Sequence, residues 1–147
     1  MSYAKKVNEF LISWTHGVMD IGSVYNAEGD YRKTALVFIE KHYAFDRGDV
    51  LFKPTFTKEI VFRNSIEKAL SYFVGGVIPE DNGFALKTWE KIDLIQVNTI
   101  ESIGAAMGLL DFKPAGSNTK TKVVFTFILD SSETVLKIKV HHSSPIL

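Results

Sequence analysis

Apolar residues recur at steps of three and four between Ala4 and Tyr25, at Val7, Phe10, Leu11, Trp14, Val18, Ile21 and Tyr25. That is the spacing of one helix face, and it predicts a long amphipathic helix. Asn26-Ala27-Glu28-Gly29 should end it, with Gly29 in a left-handed cap, and Asp30 stands where it can cap a second helix. The second helix is expected from about Tyr31 to Tyr43, with Ala35, Phe38, Ile39 and His42 near one face. Turn chemistry at Asp46-Arg47-Gly48-Asp49 precedes a short strand, Val50 to Lys53, which Pro54 halts. Another short strand is expected from about Glu59 to Phe62. Asn64 and Glu67 then read as a capping box for a third helix, whose stripe is Ile66, Ala69, Leu70 and Phe73 and which Gly75-Gly76 terminates near Val74.

In the second half the period changes from helical to alternating. After an irregular stretch, Ile78 to Gly83, that suits a lid or rim loop, strands are predicted at about Trp89 to Asn98, Ile100 to Phe112, Lys122 to Leu129 and Val135 to Ser143. Gly116-Ser117-Asn118 and Asp130-Ser131-Ser132-Glu133 supply the last two hairpin turns, and Gly104-Ala105-Ala106-Met107-Gly108 is small enough for close backbone approach. Helices first and long antiparallel strands afterwards is an α+β pattern. It predicts a curved, mainly antiparallel sheet with three N-terminal helices on its concave side, enclosing a cone-shaped cavity that is the natural place for a ligand. At 147 residues the chain is expected to be one domain, residues 1–147, large enough to bury about two thirds of its unfolded surface.

The last strand carries the most suggestive polar residues. Leu136, Ile138 and Val140 alternate with Lys137 and Lys139, and continuing that alternation puts His142 and Ser144 on the core face, with His141 and Ser143 outward. A bulge near the strand end would exchange the two pairs. Whichever pair is buried, an imidazole and a hydroxyl inside a core need hydrogen-bond partners or a ligand.

Composition narrows the function. Lys plus Arg and Asp plus Glu each number 17, so the formal charge is zero and no electrostatic footprint for nucleic acid or anionic membrane exists. Cysteine is absent, which removes disulfides, thiol nucleophiles and cysteine-based zinc sites. The N-terminus leads into an amphipathic segment rather than an apolar leader, and no run approaches spanning length. The chain reads as soluble and without a targeting segment, its compartment open: cytoplasmic or, were a leader trimmed, periplasmic or organellar. No phosphate loop, dinucleotide fingerprint, nucleophile elbow or zinc-protease helix occurs. The four histidines, His16, His42, His141 and His142, never fall at the i, i+4 spacing of a helical metal pair. His16 and His42 read as imidazoles at a core margin, bonded to a carbonyl.

Several segments together resemble one known family. Leu51-Phe52-Lys53-Pro54-Thr55, Phe62-Arg63, Ala69-Leu70-Ser71-Tyr72-Phe73-Val74-Gly75-Gly76, Glu80-Asp81-Asn82-Gly83-Phe84-Ala85-Leu86 and His141-His142-Ser143-Ser144 are similar to motifs of the iota-class carbonic anhydrases. So are Gly29-Asp30-Tyr31 and Tyr43-Ala44-Phe45-Asp46. The likeness runs in order over most of the chain, and the double histidine, double serine is its most specific piece.

The resemblance implies a nuclear-transport-factor-2-like (cystatin-like) cone, a homodimer through its sheet, that hydrates carbon dioxide reversibly to bicarbonate. Members have been described with and without a metal, and the expectation here is no cofactor, with zinc or manganese as the alternative. In the metal-free description hydroxyls hold water and bicarbonate. By motif these are Thr55, Tyr72 and a tail serine, Ser144 by the register above, with His142 orienting or relaying a proton; Ser143 and His141 are the register alternative. The segments Thr99-Ile100-Glu101-Ser102-Ile103 and Lys113-Pro114-Ala115-Gly116 and the ending Pro145-Ile146-Leu147 depart from the family's pattern, away from these hydroxyls. Fold alone does not decide function. A non-catalytic small-molecule-binding or oligomerisation module, and a metal-dependent hydratase using His142 with a carboxylate, are the competing readings.

Overall fold

In a computed structural model describing residues 1–147, three helices pack on a five-stranded curved sheet, an α+β architecture. The helices are α1 (Tyr3–Asn26), α2 (Tyr31–His42) and α3 (Ile66–Val74); the strands are β1 (Leu51–Lys53), β2 (Trp89–Ile100), β3 (Ala105–Pro114), β4 (Thr121–Asp130) and β5 (Lys137–Pro145). Strand order is β1-β5-β4-β3-β2. The last four strands in sequence pair antiparallel in succession, whereas the short β1 adds in parallel to the free edge of β5. No helix is long and apolar enough to cross a membrane.

The α1 stripe is buried as its spacing requires, with Val7, Leu11, Trp14, Val18 and Ile21 all inside. Asp30 caps α2 by accepting the Lys33 amide at 3.2 Å. Facing the helices are alternate residues of β3 and β4, among them Leu110, Phe112, Val123, Phe125 and Phe127. Burying each such side chain contributes about 1.5–3 kcal/mol, so the aromatic residues fill most of the cone. Gly108 is what lets Phe125 lie down on β3: a Cβ there would come within 2.9 Å of the ring and run into the Gln96 carbonyl.

Local chemistry departs from expectation in four places before the last strand. Glu28, not Gly29, takes the left-handed conformation after α1, at φ 59°, while the Gly29 amide bonds the Val24 carbonyl at 2.8 Å. The N-cap of α3 is Ser65, which accepts from the Lys68 amide. Asn64 is used elsewhere, its Oδ1 accepting the Phe52 amide at 2.8 Å, so the capping box does not form. Residues 59–62 make no strand. The amides of Lys58, Glu59 and Ile60 turn to a carboxylate instead, donating to Glu80 at 2.8, 3.2 and 2.7 Å. Finally, a 3-10 turn at Glu101–Ile103 and Gly104 at φ 67° divides β2 from β3, later than the break at Thr99 that periodicity suggested.

The fifth departure governs the site. Ile128 pairs with Val140 but Leu129 with Ile138, so Lys139 is an extra residue on β5, a β-bulge. Beyond a bulge the inward and outward faces of a strand exchange. Ile138 is inside; three residues on, His141 is inside, and then Ser143, while His142 is exposed and Ser144 half-buried. The expectation of an inward His142 and Ser144 does not hold, because simple alternation cannot foresee the extra residue.

Candidate active site

The concave face encloses a small cavity lined by Thr55, Tyr72, His141 and Ser143 among Trp14, Phe52, Phe84, Leu110, Phe112, Phe125 and Phe127. Its free volume is about 10 Å³, close to the 10–15 Å³ that one water-sized sphere needs. Each polar residue reaches it from a different element. Thr55 follows β1 and the buried Pro54, Tyr72 projects from α3, and His141 and Ser143 come from β5 beyond the bulge. His142 and Ser144 do not line it.

Several contacts hold these elements in place. The half-buried Lys53 ammonium donates to the Ser143 carbonyl at 2.8 Å and the Thr55 carbonyl at 3.4 Å, tying the two hydroxyl-bearing segments together. Arg63 is fully buried and grips Asp81 with both terminal nitrogens, at 2.6 and 2.7 Å, while donating from Nε to the Ile60 carbonyl. Ser71 Oγ donates to the same carboxylate at 2.6 Å and accepts the Ile78 amide. This network clamps the loop after β1 and the loop after α3 on either side of Tyr72, and the Arg63 guanidinium sits 5.9 Å from that ring's centre. A paired buried charge of this kind is costly to break because its partner is left uncompensated.

Tyr72 is a hydroxyl held as a phenol. Its oxygen accepts the Phe56 amide at 3.3 Å, and its ring stacks on Phe84 with centroids 5.4 Å apart. Burial raises its pKa well above the usual phenolic value, against a smaller lowering by the Phe56 amide and the Thr55 hydroxyl. It can donate a hydrogen bond but cannot serve as a base near neutrality.

His141 is held on all sides. Phe52 of β1 stacks on it at 4.6 Å and Phe127 of β4 meets it edge-on at 4.5 Å, centroid to centroid. Burial is the main cause that lowers its pKa to about 3, so the ring is neutral throughout the physiological range. Both nitrogens are engaged: Nδ1 lies 2.9 Å from the Tyr43 hydroxyl and Nε2 lies 2.8 Å from Ser143 Oγ. Tyr43, fully buried, also accepts from the Trp14 indole N–H at 3.2 Å.

A cavity that sets hydroxyls among aromatic rings beside a neutral imidazole suits a small acceptor-rich ligand. The profile described as metal-independent carbonic anhydrase matches residues 5–145. The chain belongs to the metal-independent carbonic anhydrase family. A metal-independent carbonic anhydrase from Nostoc sp. (strain PCC 7120 / SAG 25.82 / UTEX 2576) is 33% identical over 143 residues, covering 90% of this chain and 68% of that protein. The crystal structure of a cyanobacterial iota-carbonic anhydrase complexed with bicarbonate superposes at a TM-score of 0.85 and 29% identity, over 100% of this chain and 93% of that one. The iota-class resemblance in the sequence thus agrees with both relatives, and carbonic anhydrase activity without a metal cofactor is what membership of the metal-independent carbonic anhydrases carries.

Other sequence candidates lie apart from this cavity. His42 is buried between α1 and α2, its Nδ1–H donating to the Phe38 carbonyl at 2.8 Å while Nε2 accepts from Ser13 at 2.9 Å; burial lowers its pKa to about 4. His16 is exposed, so the core-margin reading fits His42 and not His16. Nowhere do three His, Asp or Glu side chains gather as metal ligands would. Sequence reasoning passed over Trp14, Tyr43, Arg63 and Asp81. The signal available for three of them was their place in family-like segments; Trp14 looked like one more core residue on a helix stripe.

Proposed function

We propose that reversible hydration of carbon dioxide takes place at the Thr55, Tyr72 and Ser143 hydroxyls, with His141 behind Ser143 as its positioning residue. The observation that carries this reading is the meeting, in one aromatic-walled cavity, of three uncharged hydroxyl-bearing side chains from a loop, a helix and a strand. Carbon dioxide is apolar and suits the Phe and Leu walls. When water oxygen bonds to carbon, negative charge grows on the former carbon dioxide oxygens, and fixed O–H donors in a water-poor space stabilise that charge far better than they would in bulk water. The water's second bond is broken as one proton leaves, giving bicarbonate and a proton. Neither His141 nor Tyr72 takes that proton near neutrality, so it passes outward to solvent. Tyr72 and Phe84 also border a more open outer hollow with Phe56, Asn82 and Trp89.

Tyr72→Phe deletes one donor and preserves the ring's packing on Phe84. Stopped-flow assay of the variant should show hydration at least about tenfold slower than the parent, and an equal rate would remove Tyr72 from the mechanism. If the parent protein itself gave no hydration in any buffer, the binding-module reading would take its place.

The partner proposed in addition to carbon dioxide and bicarbonate is a second copy of the chain, docked through the outer sheet face of one nuclear-transport-factor-2-like domain. Met107 is exposed, and Leu109, Val124, Ile128 and Val140 are only half-buried there; the registers Leu109↔Val124 and Ile128↔Val140 make them neighbours across β3, β4 and β5. Burying such a face is favourable. Sedimentation equilibrium should give twice the 16.5 kDa chain mass, and a monomer at all concentrations would rule the pairing out.

A further inference from the structure

The geometry points to a one-way hydrogen-bond chain, in which Trp14 and Tyr43 act as positioning residues that make the Ser143 hydroxyl a donor into the cavity. The inference rests on the hydration site proposed above and adds two residues and a direction to it. An indole N–H donates and never accepts. Trp14 Nε1–H therefore donates to the Tyr43 oxygen, 3.2 Å away. The Tyr43 hydroxyl then has one proton left to place, and the acceptor within reach is His141 Nδ1 at 2.9 Å. The opposite arrangement, with Nδ1–H donating to Tyr43, would leave the phenolic proton without an acceptor in a fully buried position, which disfavours that tautomer.

With Nδ1 accepting, the proton of neutral His141 resides on Nε2, and Nε2–H donates to Ser143 Oγ at 2.8 Å. The serine oxygen is thereby occupied as an acceptor, and its own proton is free to point at whatever lies in the cavity. Tyr72 is arranged likewise: its oxygen accepts the Phe56 amide, so its proton too is available for donation. The two groups offer O–H bonds to an oxygen-rich ligand. That polarity also separates this pair from a serine hydrolase dyad, in which the imidazole must accept the serine proton to make a nucleophile. Here the imidazole gives to the serine, so Ser143 is expected to bind and not to attack.

The test reads the tautomer directly. In ¹⁵N-histidine-labelled full-length protein near pH 7, His141 should show a pyrrole-like shift at Nε2 and a pyridine-like shift at Nδ1. Tyr43→Phe removes the donor to Nδ1 and should let the ring populate both tautomers, with kcat lowered about tenfold and KM within about twofold, since the donor is lost mainly when charge develops. Should Tyr43→Phe fail to fold, Trp14→Phe, which takes away the indole donor but keeps a ring, is read by the same two measurements. A parent ring protonated at Nδ1 overturns the inference, as does a folded Tyr43→Phe whose tautomer or kcat matches the parent. A parent with the expected tautomer but no hydration activity would keep the chain's direction and overturn the catalytic reading on which its purpose rests.

Discussion

Ser143→Ala is expected to hydrate carbon dioxide about 10²- to 10³-fold more slowly than the parent, the range found for deleting one preorganised donor from a charge-stabilising site, while Ser144→Ala matches the parent. The contrast follows from the bulge at Lys139, beyond which Ser143 lines the cavity and Ser144 does not. The loss at Ser143 is compounded, because removing its oxygen also strands the His141 Nε2–H inside aromatic walls, and an unpaired buried donor costs about 1–3 kcal/mol. Stopped-flow rates of both variants, each checked for folding by circular dichroism, decide the matter. Equal losses at the two serines would mean that the strand's faces are not divided as described, and no loss at Ser143 would remove it from the reaction.

Acid should unfold this protein earlier than its carboxylates alone would require. His42 and His141 are held neutral by burial, with pKa values lowered to about 4 and about 3, against about 6.5 in an unfolded chain. Between those values the unfolded state binds protons that the folded state refuses, so stability falls as pH drops through that window and is fully present above about 6.5. Each group contributes up to about 1.4 kcal/mol per pH unit. Together they make the fold roughly 5 kcal/mol less stable at about pH 4.5 than at about pH 7.5, a large share of the 5–15 kcal/mol typical of a domain. Urea midpoints measured across this range should fall steeply, and His42→Gln, which cannot titrate, should remove about half of the slope. A midpoint constant down to about pH 4.5 would show that the two rings are not held as described.

The architecture was legible because it depends on period. The α1 stripe, the alternation of β3 and β4, and the order of helices before strands all follow from which residues must leave water. Features decided by competition for hydrogen bonds were not. Asn64 looks like a helix cap until the Phe52 amide claims its side chain; residues 59–62 look extended until Glu80 takes the amides of Glu59 and Ile60. Both partners are distant in sequence, so no local pattern announces them.

The site was half legible for the same reason. Thr55 and Tyr72 sit in segments whose likeness to the family placed them, and both line the cavity. The choice between the tail's two histidines and two serines turned on one inserted residue. Tyr43 stands behind the cavity wall, and its meeting with His141 joins residues 98 apart in the chain while Trp14 reaches Tyr43 from 29 residues away, so no local pattern announces the chain of contacts.

The bulge has a further consequence for how the last strand tolerates change. Because the tail spells its two chemistries twice over, His-His then Ser-Ser, either phase of the strand presents an imidazole followed, two residues on, by an alcohol. Were the bulge smoothed out with every residue kept, His142 and Ser144 would turn inward in place of His141 and Ser143, whereas loss of Lys139 itself would remove the extra residue and leave His141 and Ser143 inside. Duplication thus gives the closing segment a kind of phase redundancy, in which a slip that would ordinarily swap core for surface exchanges like for like.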